Sequence, residues 1–268
     1  MLKTRVISAA IGLPLIIGTL IIGGRVLYLF VFLLAMIGLF EYYKAFSGTN
    51  YKPTTWIGYL ATAIYYFLIS VNYNTFITLS LLIFITLLLM FLDIIRNGYN
   101  ILNAAVTILG IIYISYLFSN LIFIYNGING KILIWLPFLT AWLSDTGAYF
   151  VGSIFGKNKL CPSISPKKTI EGAIGGVLGS VISCLLAGLI FNNMGYSMSL
   201  VHYLFMGLLC GITSQLGDLS ASSIKRFCNI KDFGNIMPGH GGILDRFDSI
   251  LFTAPTIYTY VTLMKELL

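Results

Sequence analysis

Twelve residues near the end of the chain, Pro238-Gly-His-Gly-Gly-Ile-Leu-Asp-Arg-Phe-Asp-Ser249, bring three glycines, a histidine, two aspartates and an arginine together. Glycines 239, 241 and 242 allow positive φ and close approach of the backbone to a ligand. They lead into a helix whose first N–H groups and dipole favour an anion, most naturally a phosphate. Asp245 and Asp248, three apart, share one side of that helix start. Carboxylates beside a phosphate require a cation between them, and hard oxygen donors with substrate phosphate suit Mg²⁺. Lys225, Arg226, Lys231 and Arg246 are placed to neutralise further phosphate charge. His240 has three readings: general base, phosphate donor or turn residue. Zinc is disfavoured, because His202 and His240 are far apart and no cysteine cluster accompanies them.

Two further groups carry chemistry. Asp145, in TAWLSDTGAYF, and Asp218, in ITSQLGDLSASSIKRF, each close a long apolar run. A carboxylate inside a span costs ~3 kcal/mol, so it faces a cavity or a partner, or else sits wetted at a helix end. If the helix continues past Asp218, then Asp218, Ser222 and Lys225 fall on a single face, at i, i+4 and i+7. Upstream, Ser165-Pro-Lys-Lys-Thr-Ile-Glu171 sets Lys167 and Lys168 one turn ahead of a glycine-rich apolar helix. That lysine pair reads either as mobile point charges for phosphate or as the positive flank of a membrane span.

The elements that must hold these groups are membrane helices. The 268 residues are 58% hydrophobic and only 9% charged, with a mean hydropathy of +0.92; soluble domains carry roughly a quarter charged residues. Apolar stretches near 6–23, 25–40, 55–72, 75–93, 101–125, 131–155, 172–192, 199–224 and 248–265 predict an all-α, polytopic membrane protein of about nine spans. The basic start reads as an uncleaved first helix, since no small-residue cleavage site follows it. With the N-terminus in the cytoplasm, only Arg25, Lys131 and Lys265 of the 16 basic residues fall outside. The net charge of +7 is then mostly charge on the cytoplasmic face, attractive to anionic headgroups. There is no soluble basic domain for nucleic acid. The four cysteines have no paired spacing and read as free thiols.

Acids are unevenly spread. Residues 1–140 hold only Glu41 and Asp93, whereas 141–250 hold six of the nine: Asp145, Glu171, Asp218, Asp232, Asp245 and Asp248. The expected organisation is an N-terminal scaffold, 1–140, and a C-terminal chemical half, 141–268, with cytoplasmic loops 156–171 and 225–247.

Ser222-x-Ile-Lys-Arg, four residues, Lys231-Asp-x-Gly, and then Pro238-x-His-Gly-Gly-Ile-x-Asp-Arg-Phe-Asp248 resembles the signature of the CDP-diacylglycerol synthases, or phosphatidate cytidylyltransferases. SDTGAYFVGSIFGKNKL and SPKKTIEG resemble the same family, so the likeness is strong over roughly 140–250. It departs only at Met237, where the family has Leu or Ile. The resemblance implies a reaction: CTP and phosphatidate give CDP-diacylglycerol and pyrophosphate. It implies metal-binding carboxylates at Asp218 and Asp245, holding Mg²⁺, with room among the acids for a second, monovalent cation. It implies a substrate site shaped by Asp145, Lys167, Lys168, Glu171, Ser222, Lys225, Asp248 and the His240-Gly241-Gly242 turn. A homodimer in the bilayer is implied too, and in a bacterium the inner membrane. Two rivals predict different observations. A CTP-dependent polyprenol- or phytol-type kinase would release CDP, and a transporter using Asp145 and Asp218 would show inverted repeats.

Overall fold

The computed structural model describes residues 2–71, 75–97, 101–239 and 241–264. Among the described residues, helices occupy the apolar stretches. They are α1 (Leu2–Ile22), α2 (Gly24–Ala45), α3 (Thr55–Ser70), α4 (Thr75–Asn97), α5 (Ile101–Gly110) running through a π-helical stretch (Ile111–Tyr116) into α6 (Leu117–Asn126), the short α7 (Gly130–Leu133) and then α8 (Leu136–Phe155), α9 (Ile170–Asn193), α10 (Leu200–Phe227) and α11 (Leu244–Leu263). In hydrocarbon every backbone polar group must be satisfied within its own segment, which makes continuous apolar sequence helical. Among the described residues, five helical stretches are long and apolar enough to cross a membrane: Gly24–Gly48, Ile77–Ile95, Ile101–Asn126, Ile170–Asn193 and Leu200–Phe227. The chain is an all-α, polytopic integral membrane protein.

The sole strands in the described residues lie in the loop between α8 and α9. There β1 (Lys159–Cys161) pairs antiparallel with β2 (Ser165–Thr169), with Lys159 opposite Thr169 and Cys161 opposite Ser165. The 156–171 loop is thus an ordered hairpin.

Two compact units divide the chain: Met1–Ser119 with Phe227–Arg246, and Asn120–Arg226 with Phe247–Leu268. The glycine-rich loop therefore packs with the N-terminal helices, a grouping that acid content along the sequence does not reveal. The first unit has an aromatic core in which several phenol hydroxyls are hydrogen-bonded across helices. Tyr43 donates to the Thr107 carbonyl at 3.1 Å, Tyr66 to the Ser115 carbonyl at 3.0 Å, and Tyr65 shares a 2.8 Å bond with Ser119 Oγ. These bonds tie α2 and α3 to the helix that runs from α5 to α6, and buried phenols require such partners.

In the second unit the helices pack through glycine. A Cβ on Gly147 of α8 would strike the Gly175 carbonyl of α9, and one on Gly179 would strike the Leu143 carbonyl. On the next flank, a Cβ on Gly207 of α10 would lie 2.7 Å from Val181 Cα. Only glycine lets these backbones meet.

Candidate active site

In the second unit, the packing of α8 and α9 sets the position of the hairpin between them. Thr169 caps α9, its hydroxyl accepting from the Gly172 N–H at 3.1 Å. Glu171 in the first turn reaches back across the loop. It accepts from the backbone N–H of Lys157 at 3.1 Å and of Asn158 at 3.2 Å, and from Asn158 Nδ2 at 2.8 Å. Arg226, at the end of α10, fastens the far side of the hairpin by donating from Nε to the Ile164 carbonyl at 3.3 Å. Lys167 and Lys159 stand exposed on the strands.

Lys168 points differently from its neighbour. Its ammonium pairs with Asp218 Oδ2, and both side chains are half-buried. Ser222, one turn along α10, donates to Asp218 Oδ1 at 3.3 Å. The continuous α10 thus brings Asp218, Ser222 and Lys225 onto one face, in keeping with their spacing. Gly217 lets α11 approach: a Cβ there would come within 2.5 Å of the Asp248 carbonyl oxygen. Asp248 consequently lies half-buried within electrostatic reach of Asp218, Asp145 and Lys225. Three carboxylates and two lysines therefore share one polar region, drawn from α8, β2, α10 and α11.

In the first unit, the glycine-rich loop closes on itself. Gly239 and Gly241 have φ of 79° and 87°, the left-handed conformations that favour glycine. The Met237 N–H donates to the Gly241 carbonyl at 2.9 Å across the tip. His240 lies outside the described residues. Asp245 Oδ2 accepts from the Phe233 N–H at 2.8 Å and the Gly242 N–H at 3.0 Å, joining both arms of the loop. Lys231 and Arg246 are exposed.

The anion on the start of α11 is a carboxylate of the chain itself. Glu41 of α2, only 1% exposed, accepts from the N–H groups of Ile243 and Leu244, each at 2.9 Å. The N–H groups of Gly242, Ile243 and Leu244 thus already have carboxylate acceptors. The dipole argument was sound about charge, but it does not say whose charge. Glu41 is the residue that sequence reasoning passed over. Its signal was present: it is a lone acid inside an apolar helix, of the kind that marks a buried partner.

Among the described residues, no group of three or more His, Cys, Asp or Glu side chains is gathered as a metal cage. Asp218 in the second unit and Asp245 in the first each offer hard carboxylate oxygens of the kind magnesium takes.

The chain is similar to known proteins along nearly its whole length. Residues 3–264 match the cytidylyltransferase family. The phosphatidate cytidylyltransferase of Staphylococcus haemolyticus (strain JCSC1435) is 35% identical over 262 residues, covering 96% of this chain and 97% of the relative. That of Staphylococcus aureus (strain COL) is 36% identical over 262 residues, with the same coverage of both chains.

Proposed function

The chain belongs to the cytidylyltransferase family, and from that premise we propose that it joins CTP to phosphatidate, forming CDP-diacylglycerol and releasing pyrophosphate. The observation that carries this reading is the identity with phosphatidate cytidylyltransferases over 96% of the chain. A phosphatidate phosphate oxygen attacks the α-phosphorus of CTP. The bond from that phosphorus to the oxygen bridging to the β-phosphate breaks, and pyrophosphate leaves. No covalent enzyme intermediate is required, so positioning and charge neutralisation are the catalytic tasks.

The residues suit those tasks. Lys168 and Lys225 bring cationic charge to meet two anionic substrates, and Lys168 can pass from Asp218 to a phosphate oxygen. Ser222 orients the Asp218 carboxylate. Asp248 keeps Lys225 within electrostatic reach between turnovers. We assign the magnesium-binding role to the carboxylates of Asp218, in the second unit, and Asp245, in the first; a bound ion would supply neutralisation of the triphosphate charge. Phosphate contacts fall to the lysines, because the start of α11 is already occupied by Glu41. The clustering of lysine and arginine on the predicted cytoplasmic side supports a site facing the cytosol, where CTP is soluble and acyl chains stay in the bilayer.

The test supplies the detergent-purified protein with labelled CTP, phosphatidate and Mg²⁺. Lipid-linked CMP and stoichiometric pyrophosphate are expected. Release of CDP with a phosphorylated lipid alcohol would replace the reading with a lipid kinase. The absence of CTP turnover with any lipid would overturn it.

A further inference from the structure

Glu41 has no counterpart among the residues implied by the resemblance, yet its surroundings are more closely specified than those of any other acid in the first unit. It sits in the last turns of an apolar helix, is 1% exposed, and accepts two backbone N–H bonds from residues more than 200 positions away. Two glycines make room for it. A Cβ at Gly234 or at Gly242 would come within 2.5 Å of Glu41 Oε1. Both arms of the loop are therefore shaped around this one side chain. Placing a carboxylate there is costly unless it is fully hydrogen-bonded, and α11 lacks a side-chain cap of its own, since Ile243 precedes its first residue. Glu41 supplies that cap from another helix.

We infer that Glu41 is a positioning residue for the reaction: by capping α11 it fixes the turn that carries Asp245. The geometry couples the two acids through a single peptide stretch. Asp245 holds the N–H groups of Phe233 and Gly242, and Glu41 holds the next two. Releasing Ile243 and Leu244 frees the first turn of α11 to shift, and Asp245 moves with it. This inference rests on the proposed cytidylyl transfer and on Asp245 serving magnesium.

The experiment compares the full-length wild type with Glu41→Gln and Glu41→Ala in detergent. The amide has the shape of the acid but presents one acceptor and one donor, so one of the two N–H groups loses its partner. For Glu41→Gln, turnover is expected to fall about tenfold or more, and the magnesium concentration giving half-maximal rate to rise about tenfold. KM for phosphatidate should stay within about twofold, since that binding is not routed through the turn. Independently of activity, hydrogen exchange is read without metal or nucleotide on peptides covering 228–246. The Ile243 and Leu244 amides should exchange slowly in the wild type and faster in the variants, with the other helices unchanged.

Free exchange at these amides in the wild type would overturn the clamp. Faster exchange in a variant with unchanged turnover and magnesium dependence would make Glu41 a packing residue and overturn the inference. Failure of both variants to fold would do the same. A wild type that forms no CDP-diacylglycerol would instead overturn the proposed reaction, leaving the exchange result to judge the clamp alone.

Discussion

The two units use carboxylates in opposite ways. In the second unit Asp218 is half-buried and bonded to side chains, the Lys168 ammonium and the Ser222 hydroxyl. In the first unit Glu41 and Asp245 are buried and bonded to backbone N–H groups of a glycine-rich loop. A side-chain partner is exchangeable: Lys168 can rotate to an incoming phosphate, and the pair contributes only about 0–1 kcal/mol at such exposure. A backbone partner is not exchangeable, because losing the acceptor leaves a buried N–H unsatisfied at about 1–3 kcal/mol each. The first arrangement keeps charge available for ligands, and the second fixes the shape of a loop.

The sharpest way to break that contrast is to truncate one acid from each unit. Asp218→Ala should lower turnover about a thousandfold, while the unfolding temperature stays within a few degrees of wild type. Asp245→Ala should lower both, since the Phe233 and Gly242 N–H groups lose their acceptor. Asp245→Asn sharpens the point. Its amide can turn its carbonyl toward both donors, so stability should largely return while turnover stays low. Parallel thermal scans and CTP turnover assays decide this. Equal unfolding temperatures for Asp218→Ala and Asp245→Ala would remove the distinction.

Next in size is Gly242→Ala. The added methyl would meet the Glu41 carboxylate at 2.5 Å, and overpacking of this kind costs about 1–3 kcal/mol. The unfolding temperature should drop, and combination with Glu41→Ala should recover part of it by vacating the space. Additive losses in the double variant would show that the two residues do not press on each other.

How far the sequence reached follows the same division. The helical character of the apolar stretches was legible because an apolar run in a bilayer has one backbone solution. The Asp218, Ser222 and Lys225 face was legible because helical spacing is local. Three features were not. The β1–β2 hairpin is too short, and too rich in lysine and proline, to show alternation. The pairing of Lys168 with Asp218 joins residues 50 apart, and spacing arguments have no such reach. Glu41 caps a helix some 200 residues downstream, and a helix N-terminus specifies only that its partner be negative. Phosphate was the natural expectation at the start of α11, and Glu41 already meets two of its N–H groups.

Within the second unit, Lys168 and Glu171 offer a finer version of the contrast. Lys168→Ala removes an ammonium held for exchange, and it should raise KM for CTP about tenfold, the equivalent of one charge-assisted contact. Lys168→Arg should recover little, because a planar fork does not replace a point charge at the same reach. Glu171 sits on the next stretch of chain but bonds backbone, at Lys157 and Asn158. Its donors are exposed, so water can replace the carboxylate. Glu171→Gln should therefore change turnover by no more than about threefold. Hydrogen exchange should quicken at residues 157 and 158, and the α9 amides should stay protected by the Thr169 cap. A KM for CTP raised as far by Glu171→Gln as by Lys168→Ala would mean that the hairpin base itself meets the nucleotide. In that case bonding to backbone would not be enough to separate acids that shape the protein from acids that serve its substrates.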